Sequence, residues 1–334
     1  MLLQIVLISA CGGAAYGIWS TGELLRGSLQ GAYIGALISG LGGAYDLFLT
    51  DRQAVRALRR RYFALNLLVK TLYYFTVVVM ALVSAQALFD LAFTGRLGAL
   101  DAAFDRTTLT VTVVVIFLFN LFFEFDRLLG RQVLLSLITG RYNRPRLEQR
   151  AVLIIDLIGS TGLAEQLGAL RFHALLSDFF FDLSEPVMAA KGDIHRYVGD
   201  GMIVTWPLQR ALEDQRCLAC VDAMRDRIAR RAEHYQRRYG SLPAFRAALH
   251  CGEVVVGEMG DYRREIVMLG DVVNATARIE QECRALEAFA LVSDDLVRRL
   301  PAQAGRRLRD AGEHHLRGRQ EPLRLWILTP EGPA

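Results

Sequence analysis

The sequence predicts an α-helical membrane domain followed by an α+β domain, and two observations predict it. Hydrophobic residues fill 52% of the 334 positions, too many for an ordinary soluble chain, and they are concentrated rather than spread. Four runs almost free of charge, residues 2–19, 31–49, 68–89 and 107–123, each approach the ~20 residues a helix needs to cross a bilayer. Beyond residue 150 the pattern changes to short β-rich runs alternating with long helical ones, the mark of a mixed domain.

The four runs predict four spans. "MLLQ" has no basic region ahead of the first run, so it reads as a retained helix rather than a cleaved signal. The loop "DRQAVRALRRR" (51–61) holds five arginines, while 20–30 and 94–106 carry sparse, mixed charge. Positive loops stay in the cytoplasm, which puts both termini and everything after the fourth span in the cytosol, beneath a bacterial-type inner or plasma membrane. Gly13 and Gly17, then Gly31, Gly35, Ser39 and Gly43, recur at a spacing of four, which lets helix backbones approach closely in lipid. Lys70, Asp46, Glu124 and Asp126 fall near cytoplasmic ends, and Asn120 is the polar group inside the fourth run. With no ionisable residue at mid-membrane, a transport pathway lacks its usual signal. The organisation is residues 1–125 as a transmembrane domain, 126–150 as a cytoplasmic connector, and 151–330 as the cytosolic domain.

In that domain, strands are expected near 151–157, 192–197, 201–206, 244–250, 252–257, 264–269, 289–292 and 323–328, and helices near 161–190, 208–239, 271–286 and 293–299. The net charge of +4 comes mostly from arginine. "RDRIARRAEHYQRRYG" (225–240) interleaves its arginines with Asp226 and Glu233 in a helical pattern, so it reads as a solvated helix face and no nucleic-acid partner is expected. Five cysteines, an odd number, facing a reducing compartment argue against a disulfide framework. Cys217 and Cys220 lie in a helical run without a second ligand pair, which disfavours zinc.

The chemistry centres on two carboxylates. The apolar run Ala151–Ile155 ends on Asp156, and "HRYVGDGMIVTW" (195–206) reads as a hairpin with Asp200 at its Gly-Asp-Gly turn. Alone, Asp156 could cap the next helix and Asp200 could favour its turn. Together they repel unless a cation lies between them, and Mg²⁺ takes one or two carboxylates plus substrate phosphates. Further on, Asn274 and Arg278 stand four apart at the start of a helix and share a face.

The segments D-L-x-G-S-T, Y-V-G-D, G-x-V-V-x-G-E-M-G and L-G-D-V-V-N-x-x-x-R, in that order over about 148–330, resemble the catalytic domain of class III adenylyl/guanylyl cyclases. The resemblance implies a ferredoxin-like core with a mostly antiparallel sheet and flanking helices. It implies conversion of a nucleoside triphosphate to a 3′,5′-cyclic nucleotide and pyrophosphate, with two Mg²⁺ per site, for which Mn²⁺ can substitute. Asp156 and Asp200 match the metal ligands, joined by the backbone carbonyl of Leu157. Asn274 matches the ribose-orienting residue, Arg278 the cation that meets charge at the α-phosphoryl group, and Arg317, in a basic strand, the triphosphate-binding lysine. In the family the aspartates and the Asn/Arg pair come from different partners, so a homodimer with two equivalent sites is expected, held at a lipid membrane.

Two base-reading positions depart from the family's pattern. Adenylyl cyclases usually carry Lys where this chain has Arg196, and Asp or Thr where it has Val267; guanylyl cyclases carry Glu and Cys. Arg196 can donate to adenine N1 or guanine O6, and Val267 cannot accept from the adenine amino group. The absence of Glu at 196 favours ATP, with GTP and a non-catalytic nucleotide-binding module as alternatives. Ser160 replaces a Phe found in many relatives. The six histidines show no competing metal-ligand spacing, and His250, on an apolar strand, reads as a hydrogen-bonded core residue.

Overall fold

The computed structural model describes residues 2–44, 63–95, 110, 113–122, 139–261, 265–301, 307–318 and 321–329. It divides into two compact units, Met1–Leu134 and Leu135–Ala334.

The first unit contains α1 (Leu2–Thr21), α2 (Leu24–Ala44) and α3 (Phe63–Thr94). Among the described residues one helix, Ala64–Phe93, is long and apolar enough to cross a membrane, while the apolar helical stretches Val6–Trp19 and Val113–Phe122 are shorter. The four-span expectation thus rests on one clear helix. The arginine-rich loop 51–61, residues 45–49 of the second run, 96–106 between the third and fourth, and 126–138 of the connector lie outside the described residues, as do Asp46, Glu124 and Asp126. The glycine spacing has its expected consequence: a Cβ on Gly13 would collide with the Gly31 carbonyl, and one on Gly17 with the Gly27 carbonyl. At the far end of this packing, Arg26 Nη2 donates to Asp90 Oδ1 at 2.5 Å and Gln86 Nε2 to Asp90 Oδ2 at 2.9 Å.

In the second unit, β1 (Arg146–Leu157) is followed by α4 (Ser160–Ala189), then by the β2 (Asp193–Val198) and β3 (Gly201–Pro207) hairpin. Next come α5 (Arg216–Arg230), α6 (Ala232–Tyr239), β4 (Phe245–Met259), β5 (Glu265–Leu269), α7 (Asp271–Ala285), β6 (Ala290–Ser293), β7 (Leu308–His314) and β8 (Leu323–Leu328). The sheet order is β2-β3-β1-β4-β6-β8-β7, with β5 paired to β4. The β4–β6 pair is parallel and the others are antiparallel.

Side chains alternate across a strand, so β1 feeds two cores. Leu153 and Ile155 pack with Phe179 and Leu183 of α4 and Leu218 and Met224 of α5. Val152 joins Val254, Val256 and Val272 on the opposite face, where Ala248, Ile279, Cys283 and Leu291 continue the layer beneath α7.

Three expectations are corrected. The two strands expected at 244–250 and 252–257 are one strand, β4; Gly252 is there for clearance, since a Cβ would meet Val272 Cγ2 at 2.7 Å. The helix expected over 208–239 is divided into Leu208–Leu212, a 3₁₀ turn at Glu213–Gln215, α5 and α6, because Asp214 and Gln215 take left-handed φ of 51° and 54°. Strand β7 lay outside the sequence-based assignment.

The arginine-rich stretch does more than face solvent. Arg227, Arg231 and Tyr235 all donate to Asp182, which is 1% exposed, and Arg238 and Tyr239 donate to Asp178 one turn away. These bonds fasten α5 and α6 to α4, and satisfied acceptors of this kind are what make a buried carboxylate tolerable. His250 accords with its sequence reading: it is buried, with Nδ1 2.7 Å from Ser293 Oγ.

Candidate active site

The apolar run of β1 forces its backbone into the middle of the sheet, with β3 on one side and β4 on the other. Its last polar residue therefore emerges at a fixed place. Asp156 pairs with Gly201 on β3 and with Arg246 on β4. Gly199 and Asp200 form the two-residue turn between β2 and β3, and Gly199 supplies the positive φ, 60°, that such a turn requires. Asp200 thus stands one residue before the partner of Asp156, at the end of the adjacent strand.

The cap alternative for Asp156 is excluded. The N-cap of α4 is Gly159, and no side chain caps that helix end. Burial pushes the Asp156 carboxyl above its ordinary range, the Asp200 charge pushes it further, and Arg246 opposes them. A carboxylate under such pressure gains from a hard cation. The donor set fits one: two carboxylates, with the Leu157 backbone next in the chain and solvent or phosphate oxygens left to complete the shell. Among the described residues no three His, Cys, Asp or Glu side chains converge on an ion. This chain would therefore hold a cation through the two aspartates, not a closed protein cage.

Asn274 and Arg278 lie on α7, Asn274 exposed and Arg278 half-buried. The Arg278 guanidinium lies against the Arg317–Gly318 turn: a Cβ on Gly318 would sit 3.3 Å from Arg278 Nη2. Arg317 is exposed in that turn between β7 and β8, not on the basic strand that was expected, and its chain neighbour Gly318 is what meets Arg278. Arg196, on exposed β2, donates through Nη2 to Glu265 Oε2 on β5 at 2.7 Å. Val267 follows two residues later on the same face of β5. His195, beside Arg196, is pushed down to about 4 by burial and by the positive charges of Arg196 and Arg150, so it is neutral at physiological pH.

Two residues the sequence reading passed over belong to this arrangement. Arg246 is the cross-strand neighbour of Asp156. Glu280 is 8% exposed on the inner face of α7, and its carboxyl is pushed up by burial and by Asp156. A signal existed for each: a lone charge at the head of an apolar strand, and an acidic residue on the apolar face of an amphipathic helix. Around a helix of 100° per residue, Arg278 and Glu280 point about 160° apart. The charges that shift Asp156 are those of Asp200 and Arg246, with no contribution from Arg278, whose guanidinium lies against Gly318 instead.

An open pocket of about 550 Å³ borders the loop after Asp156, lined by Ile158, Phe245, Arg246, Cys283 and Phe289 among others. Asp156 and Asp200 are not on its wall.

A family model described as the adenylate and guanylate cyclase catalytic domain matches residues 143–329. Adenylate cyclase 2 of Rhizobium meliloti is 45% identical over 202 residues, which are 60% of this chain and 56% of that protein. Adenylate cyclase 1 of the same organism is 28% identical over 138 residues, 40% of this chain and 20% of the other. This chain thus spans little more than half of the first relative's length. Among solved structures, a bacterial light-regulated adenylyl cyclase superposes with a TM-score of 0.53 at 17% identity, covering 64% of each chain, which is a likeness of fold.

Proposed function

The chain belongs to the adenylate and guanylate cyclase family, and from that premise we propose that it is a membrane-anchored adenylate cyclase, converting ATP to 3′,5′-cyclic AMP and pyrophosphate at sites shared between two copies. The observation that carries the reading is the convergence of Asp156 and Asp200 at the ends of adjacent strands, distant in sequence and set side by side by the β1–β3 ladder. The similarity to Rhizobium meliloti adenylate cyclase 2 favours ATP.

Asp156, Asp200 and the Leu157 carbonyl would hold Mg²⁺ or Mn²⁺. When bound, the cations make the ribose 3′-hydroxyl more acidic and neutralise the phosphates. The 3′-hydroxyl gives its proton to solvent and its oxygen attacks the α-phosphorus while the bond to the bridging oxygen of the departing pyrophosphate breaks. Asn274 holds the ribose so that this attack is in line. Arg278 meets the negative charge that grows on the α-phosphoryl oxygens, and a guanidinium already in position costs no reorganisation at that moment. Arg317 is suited to bidentate contact with the β- and γ-phosphates. Arg196 donates to adenine N1.

Sharing of sites is supported by the placement of Arg278, which lies against Gly318 and is not among the charges that act on the Asp156 of its own chain, so that the arginine of a second copy would complete the site. Anchoring is supported by the helix Ala64–Phe93 and its exposed Leu68, Leu72, Leu88 and Leu91, together with the five arginines of the loop before it. In this reading the other apolar runs complete a four-helix anchor, with both termini cytoplasmic. The test is turnover of ATP and GTP, side by side, by the full chain in membranes with Mg²⁺ or Mn²⁺. Cyclic AMP from wild type and none from Asp200→Ala supports the proposal; no cyclic product from either triphosphate ends it.

A further inference from the structure

A buried tyrosine must satisfy its hydroxyl inside the protein, and the groups that do so fix the segment that carries it. Tyr142, in the turn that precedes β1, is 4% exposed. Its hydroxyl donates to Glu148 Oε1 at 3.1 Å and accepts from Arg150 Nη2 at 3.2 Å. Arg150, itself buried, also donates through Nε and Nη2 to Glu148 Oε2 and through Nη1 to Thr205 Oγ1 on β3. The ring belongs to the cluster of Val152, Val254, Val256, Met268 and Val272. The backbone is held as well, since the Glu258 N–H donates to the Tyr142 carbonyl at 2.9 Å.

A little further on, the same turn reaches the other face of β4. Side chains alternate along a strand, so Val254 and Val256 point to the Tyr142 side and a side chain at Gly257 would point to the opposite one. Pro145 lies there: a Cβ on Gly257 would stand 3.2 Å from Pro145 Cα. Gly257 is the ladder partner of Val267, and Val256 that of Met268. The turn thus grips the end of β4 from both sides, with β5 as the next strand in each row. Tyr142 shares its cluster with Met268, the chain neighbour of Val267, and with Val272, in the first turn of α7 just before Asn274. Connecting segments ordinarily run over the surface. This one is built into the part of the sheet that carries the base-reading position.

We propose that Tyr142 is a positioning residue for nucleotide binding, which seats β5 and the first turn of α7 so that Val267 and Asn274 meet the base and the ribose. The inference rests on the reading of those two residues as nucleotide contacts. Tyr142 is buried, so it acts through the strand and the helix it packs on and not by touching the substrate. The aspartates stand apart from it: Asp156 is near the far end of β1, whose first residue, Arg146, follows Pro145. Removal of the ring therefore weakens nucleotide binding and leaves the cation site as it is.

The test is steady-state turnover of ATP, or of GTP if that is the triphosphate converted, by the full chain in nanodiscs well below the melting temperature of each variant. Tyr142→Leu keeps an apolar side chain and removes the ring. Its KM is expected to rise about tenfold with kcat within about threefold of wild type, the pattern of binding lost equally from ground and transition states. The Mn²⁺ concentration for half-maximal rate at saturating nucleotide is expected to stay at the wild-type value. Tyr142→Phe keeps the ring, and Arg150 retains Glu148 and Thr205, so its KM is expected to match wild type although it melts lower. A merely structural tyrosine gives another pattern: both variants melt lower while KM stays unchanged, and that result overturns the proposal. So does a KM raised as far by Tyr142→Phe as by Tyr142→Leu, or a fall confined to kcat. If Tyr142→Leu fails to fold, Met268→Val trims the same cluster from β5, and an unchanged KM in that variant rejects the proposal. Wild type that forms no cyclic product from either triphosphate removes the cyclase reading and takes this proposal with it. Turnover with a KM indifferent to Tyr142→Leu rejects the role of Tyr142 alone.

Discussion

Gly201 lies opposite Asp156 in the β1–β3 ladder, so close that a Cβ on it would stand 2.8 Å from the Ile155 carbonyl oxygen and 3.5 Å from Asp156 Oδ1. The missing side chain lets the β2–β3 turn bring Asp200 beside Asp156. Gly201→Ala must push the two strands apart, at a cost of about 1–3 kcal/mol. The expected outcome is a folded protein with a modestly lower melting temperature and cyclase activity reduced by about tenfold or more, since small displacements of reacting groups cost that much. Full activity in this variant would show that the spacing of the aspartates is not critical.

The raised Asp156 carboxyl fixes the sign of a pH effect. Its pKa is higher in the folded protein than in an unfolded chain, through burial first and Asp200 second. Folding thus favours its protonated form more than the unfolded chain does, and any stability it contributes is present at low pH and lost as pH rises through the folded value. Protons also compete with cations for its oxygens. Mn²⁺ affinity should fall on acidification from a higher pH than an ordinary aspartate would allow, while the cation-free protein gains relative stability there. Titrations of Mn²⁺ at several pH values, with Asp156→Asn as the reference, measure both effects. Affinity that stays flat down to the ordinary aspartate range would contradict this sign.

Because Arg278 lies against Gly318 and is not among the charges that act on the Asp156 of its own chain, a dimer built from two defective chains should regain function. Asp156→Ala and Arg278→Ala are each expected to be inactive alone. Mixed, half of the randomly formed dimers are heterodimers, and each of these carries one intact site. Activity near one quarter of wild type follows from that arithmetic. Recovery no greater than either parent would place all the catalytic groups in one chain.

The Asp156–Asp200 pair was legible in the sequence because each residue follows from local rules, an apolar run that ends on a charge and a Gly-Asp-Gly turn between β-rich runs. Arg246 and Glu280 were not, because their meaning comes from cross-strand register and from helix rotation, neither of which a linear motif specifies. Gly252 misled for a related reason. It stood as the first residue of a second strand, whereas its role is to admit Val272 of α7 over a continuous β4. The break after Leu212 was hidden because the helical spacing of apolar residues persists through Asp214 and Gln215, which adopt left-handed backbone. Strand β7, "LRDAGEH" at the sheet edge with a register shift between Asp310 and Gly312, offers almost no apolar alternation to detect. The arginines of α5 and α6 were assigned to solvent because Asp178 and Asp182, which hold several of them, lie some fifty residues earlier.

The Arg196–Glu265 pair separates stability from recognition. Both side chains are substantially exposed, 48% and 40%, so their bond at 2.7 Å contributes at most about 1 kcal/mol to folding. Arg196→Ala should leave the melting temperature almost unchanged. If Arg196 donates to the adenine ring, the same change should raise the KM for ATP by about tenfold, the worth of one hydrogen bond to a charged group. Val267 offers no acceptor for the adenine amino group, so Val267→Asp should lower that KM and widen the preference for ATP over GTP. Glu265→Gln frees the guanidinium from its partner and is expected to loosen selectivity without unfolding β5. Steady-state kinetics with both triphosphates decide the matter: a KM for ATP indifferent to Arg196, in a variant that melts as wild type does, would remove this residue from the base site and leave it a surface ion pair.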